Sequence, residues 1–175
     1  RVLINGASGG VGSFAIQIAK AMGAEVTGVC SAASAELVRS LGADDVIDYT
    51  SDDFTTREGQ YDLIFDNIEN RPLAEVRRAL APKGTLILNS GTGATGLAMM
   101  VRLLKPLVLN PFVSQQLRRY MSEPNRSDLE ELAELVRTGK VRPHIDRTFE
   151  LDGTREALTY LEAGHAHGKV VVVVH

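Results

Sequence analysis

The stretch INGASGGVGSFAIQIAK, residues 4–20, has the make-up of an anion cradle that runs into a helix. Gly6, Gly9, Gly10 and Gly12 place four glycines within seven residues, and a helical apolar pattern follows. Unpaired N–H groups at a helix start, together with the helix dipole, hold phosphate. Gly6 ends an apolar strand, Gly9 and Gly10 permit close backbone approach, and Gly12 lets the helix pack on a sheet. That arrangement holds a dinucleotide pyrophosphate. A structural tight turn is the other reading of the same glycines, and the surrounding elements decide between the two.

Other phosphate loops fit badly. A Walker loop needs Gly-Lys-Ser/Thr, whereas Gly12 is followed by Ser13 and Phe14. Methyltransferases and NAD-preferring sites place an acidic residue at the end of the second strand, where this chain reads Val29-Cys30-Ser31. Ser31 carries no charge to repel a ribose 2′-phosphate and can donate a hydrogen bond to it, which favours NADP(H) while leaving NAD(H) open. The same hydroxyl is equally suited to capping the next helix. The glycine spacing also matches short-chain dehydrogenases, which need Tyr-xxx-Lys. Tyr49, Tyr61, Tyr120 and Tyr160 are followed four residues on by Asp53, Phe65, Pro124 and Gly164, so that class is rejected.

The elements that position this loop alternate. RVLING reads as a strand, Ser13–Met22 as a helix stopped by Gly23, AEVTGVC as a strand, and SAASAELVRSLGA as a helix capped by Ser31 or Ser34. DDVIDY, the nearly continuous apolar YDLIFDN and GTLILNSG read as further strands, with PLAEVRRALAP a helix before the last. Strands alternating with helices predict an α/β fold, a Rossmann-type doubly wound parallel sheet in three layers. Beyond it, LAMMVRLLKPLVL reads as an amphipathic helix broken by Pro106, and PFVSQQLRRYM has strand-like stretches. SDLEELAELVRTGK reads as a helix with a Ser127/Glu130 capping box. HIDRTFEL, DGTREALTYLEAG and KVVVVVH close the chain as strand, helix and strand.

Composition narrows the function classes. The 175 residues are 44% apolar and 23% charged, with net charge -3. Basic residues run no longer than Arg77-Arg78 and Arg118-Arg119, which argues against nucleic acid as a partner. No apolar stretch approaches the roughly 20 residues that span a bilayer, and no leader pattern is read, so a cytoplasmic location without membrane partners is expected. The single cysteine, Cys30, excludes an intrachain disulfide and a thiolate cluster, and reads as a small buried core residue. His165 and His167 lack a third ligand at a metal spacing, so no metal is expected.

INGASGGVGSFAIQIAKAMGAEVTGVCSAASAELVRSLGADDVIDY resembles the cofactor domain of medium-chain dehydrogenases/reductases, in the quinone oxidoreductase branch. YDLIFDN, RRALAPKGTLIL, GKVRPHIDRTFEL and GHAHGKVVV continue the resemblance in order over essentially the whole chain. It implies a zinc-free, NADPH-preferring reductase of quinones, enones or activated carbonyls. Carried over by position, Gly6, Ser8 and the backbone through Gly9, Gly10, Val11 and Gly12 hold the pyrophosphate. Ser31 and Tyr49 lie near the adenosine ribose, and Asn67, Ser90 and Gly91 border the nicotinamide half. No general acid is identified; Asp66 stands near the right sheet edge and reads more simply as a loop cap.

The pattern departs at three places. Ala33-Ser34 replaces a basic residue common in relatives, Ile68-Glu69 replaces Val-Gly, and His167 replaces Arg. A carboxylate at 69 is expected to narrow or repel the nicotinamide end. The resemblance divides the chain into a nucleotide domain, 1–142, and a segment, 143–175, that in relatives completes a preceding catalytic domain carrying most substrate contacts. This chain is therefore expected to bind cofactor and turn over little by itself. KVVVVV, without that domain's strands, is expected to pair with a neighbouring chain or pack back on this one. A homodimer through a sheet edge at 111–121 is expected. Two other readings remain: a non-catalytic redox-sensing module, and the enoyl-reductase portion of a larger synthase.

Overall fold

A computed structural model describes residues 1–89, 104, 106, 108–120, 123–164 and 166–175. Six strands form one parallel sheet: β1 (Val2–Asn5), β2 (Val26–Cys30), β3 (Asp45–Asp48), β4 (Tyr61–Asp66), β5 (Leu80–Leu88) and β6 (Gln116–Arg119). Their order is β3-β2-β1-β4-β5-β6. The direction of strand addition reverses between β1 and β4, which opens a crevice at their C-terminal ends.

Side chains alternate across a strand, so one strand feeds two cores. Leu3 joins Val29, Ile64 and Leu86 under α3 (Leu73–Ala79), which contributes Val76 and Ala79. Ile4 joins Val26 and Cys30 under α1 (Gly12–Ala21) and α2 (Ala35–Ser40), which contribute Ile16 and Val38. Helices on both faces of the sheet make the three-layer α/β architecture that alternation predicts.

Several local expectations are corrected. Neither Ser31 nor Ser34 makes a side-chain cap bond; a 3-10 turn at Ala32–Ser34 precedes α2, and the two hydroxyls lie 3.2 Å apart. The Ser127/Glu130 box is not formed. Asn125 caps α4 (Arg126–Arg137) by accepting from the Asp128 N–H at 2.9 Å, and Glu130 pairs with Arg126 instead. An Asx acceptor two positions earlier took the role, so both box residues lie inside the helix. β5 starts at Leu80, directly after α3, rather than at Gly84. PFVSQQLRRYM supplies a 3-10 turn at Asn110–Phe112 and the edge strand β6. Most of LAMMVRLLKPLVL lies outside the described residues.

The C-terminal part forms its own small sheet. β7 (Ile145–Glu150) and β8 (Lys169–Val173) pair in parallel, joined through α5 (Thr154–Glu162). The apolar last strand thus finds its partner in β7 of the same chain. Arg142 is tied to α1 twice: its N–H donates to Gln17 Oε1 at 2.8 Å, and its carbonyl accepts from Gln17 Nε2 at 3.0 Å.

Ile64 sits at the centre of β4 with no solvent exposure. Ile64→Ala is expected to lower stability by about 2–5 kcal/mol through lost burial and a residual cavity, read as a lower urea midpoint with unchanged slope.

Candidate functional site

The glycine loop is shaped by one close approach. A Cβ on Gly12 would lie 2.1 Å from the Gly6 carbonyl oxygen and 2.8 Å from the Ala7 Cα, so α1 can start here only with glycine. Gly6 itself has φ +79°, the left-handed region that favours glycine. The N–H groups of Gly6 and Ala7 both donate to the Val29 carbonyl, at 3.2 and 3.0 Å, which fixes the loop to β2. The first helical bonds run from Ser13 to Gly9 and from Ala15 to Val11. The helix N-terminus, with its unsatisfied N–H groups, therefore abuts the crevice.

A cleft of about 360 Å³ occupies that crevice. Among the sequence-predicted residues, Gly6, Ser8, Gly9, Ser31 and Tyr49 line it together. Gly10 and Gly12 form the turn behind them, and Val11 stands half-exposed at the helix start. Asn67 sits on the same sheet edge without lining the cleft. Its Nδ2 donates to the Asn5 carbonyl at 3.2 Å and its Oδ1 accepts from Asn89 Nδ2 at 2.8 Å. Ser90, Gly91 and His165 lie outside the described residues.

Beside the ends of β2 and β3 the cleft is lined by Cys30, Ser31, Ser34, Tyr49 and His167. The Tyr49 N–H donates to the Cys30 carbonyl at 3.1 Å, which joins the ends of β2 and β3. The Cys30 thiol is pushed up, first by burial and then by the nearby Asp48 carboxylate, with Arg39 opposing weakly. It is a core thiol kept protonated rather than a nucleophile.

At the opposite end Asp66 is committed to structure. It is 1% exposed, and its Oδ1 accepts from Asn5 Nδ2, the Ile68 N–H and the Glu69 N–H at 2.8, 3.1 and 2.8 Å. Glu69 is held in the left-handed region at φ +53°, which accounts for a glycine at this position in the pattern the chain resembles. Its carboxylate does not face the cleft as a free charge. It makes a two-pronged pair with Arg119 Nη1 and Nη2 of β6, both at 3.0 Å. The expectation that Glu69 repels the nicotinamide end is corrected: the charge is neutralised across the sheet edge.

Sequence reasoning missed Ser34, Asn70 and Lys169. Lys169 Nζ lies 3.2 Å from where a Gly10 Cβ would stand, and 5.5 Å from the Phe14 ring centroid, so an ammonium overhangs the glycine loop. The signal for it was the Gly168-Lys169 pair, which gains meaning only once the chain folds back. Among the described residues, no three His, Cys, Asp or Glu side chains are grouped to hold a metal ion.

Glu69→Gly would relieve a left-handed residue and break a buried ion pair. The pair outweighs the strain, so a net loss of about 2 kcal/mol is expected in urea unfolding; a more stable variant would show that strain dominates. Cys30 should react with iodoacetamide at pH 8 far more slowly in the folded chain than in urea. Equal rates would contradict its burial.

The zinc-binding dehydrogenase family model matches residues 41–172. Mouse mitochondrial NAD(P)H oxidoreductase RTN4IP1 is 39% identical over 193 residues, covering 99% of this chain and 48% of that protein. The trans-enoyl reductase pgmF of Aspergillus terreus is 32% identical over 190 residues, covering 99% of this chain and 51% of that protein. The quinone oxidoreductase structure from Coxiella burnetii superposes with a TM-score of 0.82 at 27% identity, covering 99% of this chain and 52% of that one. The chain spans about half the length of the curated relatives it matches. With its strand order, its glycine loop and these matches taken together, the chain belongs to the medium-chain dehydrogenase/reductase family, in its quinone oxidoreductase-like branch.

Proposed function

We propose that this chain is the cofactor-binding part of a zinc-independent, NADPH-preferring oxidoreductase acting on quinones, enones or activated carbonyls. The observation that carries the reading is the side-chain-free approach at Gly12, opening onto a cleft whose adenosine end presents two serine hydroxyls and no carboxylate in its lining. That cradle fits a dinucleotide, which when bound supplies a hydride from its nicotinamide C4.

The chain's own residues bind and orient. The backbone from Gly6 to Gly12 takes the pyrophosphate on the helix N-terminus, and Lys169 adds a counter-charge above it. Ser31, Ser34 and Tyr49 surround the adenosine ribose. Asn67, held by Asn5 and Asn89, borders the nicotinamide half and keeps that edge rigid. The reading gives zinc no step. Two of the relatives named above are an enoyl reductase and a quinone oxidoreductase by name, which supports the substrate class, and the resemblance implies that most substrate contacts lie in the half of those proteins that this chain does not span.

Calorimetric titration of the chain with NADPH and NADH at fixed salt tests this. NADPH should bind about tenfold more tightly, the effect of one charge-assisted phosphate contact. NADH preference would overturn the cofactor assignment, and binding of neither would overturn the reading.

A further inference from the structure

The segment Ala166–Lys169, between α5 and β8, crosses the mouth of the cleft and brings His167 to its adenosine end. The backbone of His167 is pinned there. Its N–H donates to Asp146 Oδ2 at 2.9 Å, and the same oxygen accepts from the Tyr160 hydroxyl at 2.7 Å. Arg147 stacks over the Tyr160 ring, 4.2 Å from its centroid. Burial pushes the Asp146 carboxyl up, but the Tyr160 and His167 donations outweigh it and hold it below the ordinary range. Asp146 therefore stays charged and its grip on the segment holds across neutral and mildly acidic pH.

The imidazole is not consumed by this grip. Its Nδ1 stands 3.5 Å from Ser34 Oγ, and Ser34 Oγ stands 3.2 Å from Ser31 Oγ. Both separations are long for bonds to a hydroxyl. Three polar groups thus converge on one spot without saturating one another, and Ser34 is buried to 1% exposure. On the other flank of the same segment, Lys169 reaches the glycine loop. One strap offers a nitrogen base at the ribose and an ammonium at the pyrophosphate.

We propose that His167, in its protonated form, is the residue that selects the ribose 2′-phosphate, so that preference for NADP(H) over NAD(H) fades as pH rises. This rests on the cofactor reading above and adds its regulation. An imidazole is the side chain that changes charge between about pH 5 and 8. Its imidazolium form attracts the phosphate, and that part of the affinity is complete at low pH and lost as the ring deprotonates. The groups facing it are Asp146 and Arg147 of β7, Tyr160 of α5, Lys169 of β8, Cys30 and Ser31 at the end of β2, Ser34, Tyr49 beyond β3, and His144, which packs on Gly168. Arg39 and Asp48 lie further back and act on Cys30. Asp146 is held below the ordinary carboxylate range, and the second imidazole, His144, is common to the wild-type chain and to a His167→Arg variant, so the step in their ratio follows His167.

The test compares NADP⁺ and NAD⁺, stable in acid, on the wild-type chain, His167→Arg and His167→Ala from pH 5.5 to 8.5. The 2′-phosphate itself titrates near pH 6, as phosphate monoesters do. Arginine keeps its charge throughout, so the ratio of wild-type to His167→Arg dissociation constants isolates the imidazole. For NADP⁺ that ratio should rise about tenfold over the range, NAD⁺ should show no such rise, and His167→Ala should bind NADP⁺ weakly at every pH. A direct readout needs no variant: in the NMR titration of the His167 ring, NADP⁺ should move the midpoint upward and NAD⁺ should not. A constant ratio, or the same shift with both cofactors, overturns the proposal while leaving the cofactor reading intact. Failure of both cofactors to bind the wild-type chain and His167→Arg overturns the two together.

Discussion

The first helix can begin only where it touches the end of the first strand. At Gly12 the backbone of α1 presses against the Gly6 carbonyl so closely that a single methyl group would overlap it. Everything functional is arranged around that contact. It turns the helix N-terminus toward the crevice at the strand-order reversal, where dipole and N–H groups favour an anion. It also brings the loop against Val29, so the end of β2, with Ser31 and Ser34, stands at a set distance from the glycine loop.

The opposite end of the crevice is stiffened by buried polarity. Asp66, at the end of β4, accepts three donors, one from Asn5 of β1 and two from the loop that follows β4, and Glu69 reaches across β5 to Arg119 on β6. A buried carboxylate is costly unless its acceptor sites are filled, and here they are filled by the loop that must hold Asn67. The left-handed Glu69 shows the same economy. Glycine would adopt that turn without strain, but only a longer side chain can tie the turn to the sheet edge.

The C-terminal segment contributes more than its own two strands. Its β7–α5–β8 unit is small, and Arg142 joins it to α1 through Gln17. The return from α5 to β8 lays Ala166–Lys169 along the cleft, with the His167 imidazole near Ser34 and the Lys169 side chain over Gly10. By contrast, α4 exposes its apolar residues Leu129, Leu132 and Val136. Its periodicity predicted a helix correctly, yet periodicity carries no information about which surface a helix face meets.

The strand-helix alternation, the parallel sheet, the glycine loop and the family resemblance were legible in the chain alone. Each rests on near-neighbour chemistry: apolar period, helix stops, and glycines at fixed spacing. Caps were legible only as residue types, since Asn125 and Ser127 compete for the N–H groups that open α4 and the winner depends on backbone angles. Contacts between distant residues were decided by tertiary structure. Glu69 read as a charge that narrows or repels until β6 brought Arg119 to it; Lys169 read as a tail residue, and His167 as the replacement of an arginine, until the chain returned to Gly10 and Ser34. A lone sequence determines what each segment prefers to be. Which charges meet, and so what the cleft recognises, is decided by packing, because electrostatic partners are selected by distance in space and not along the chain.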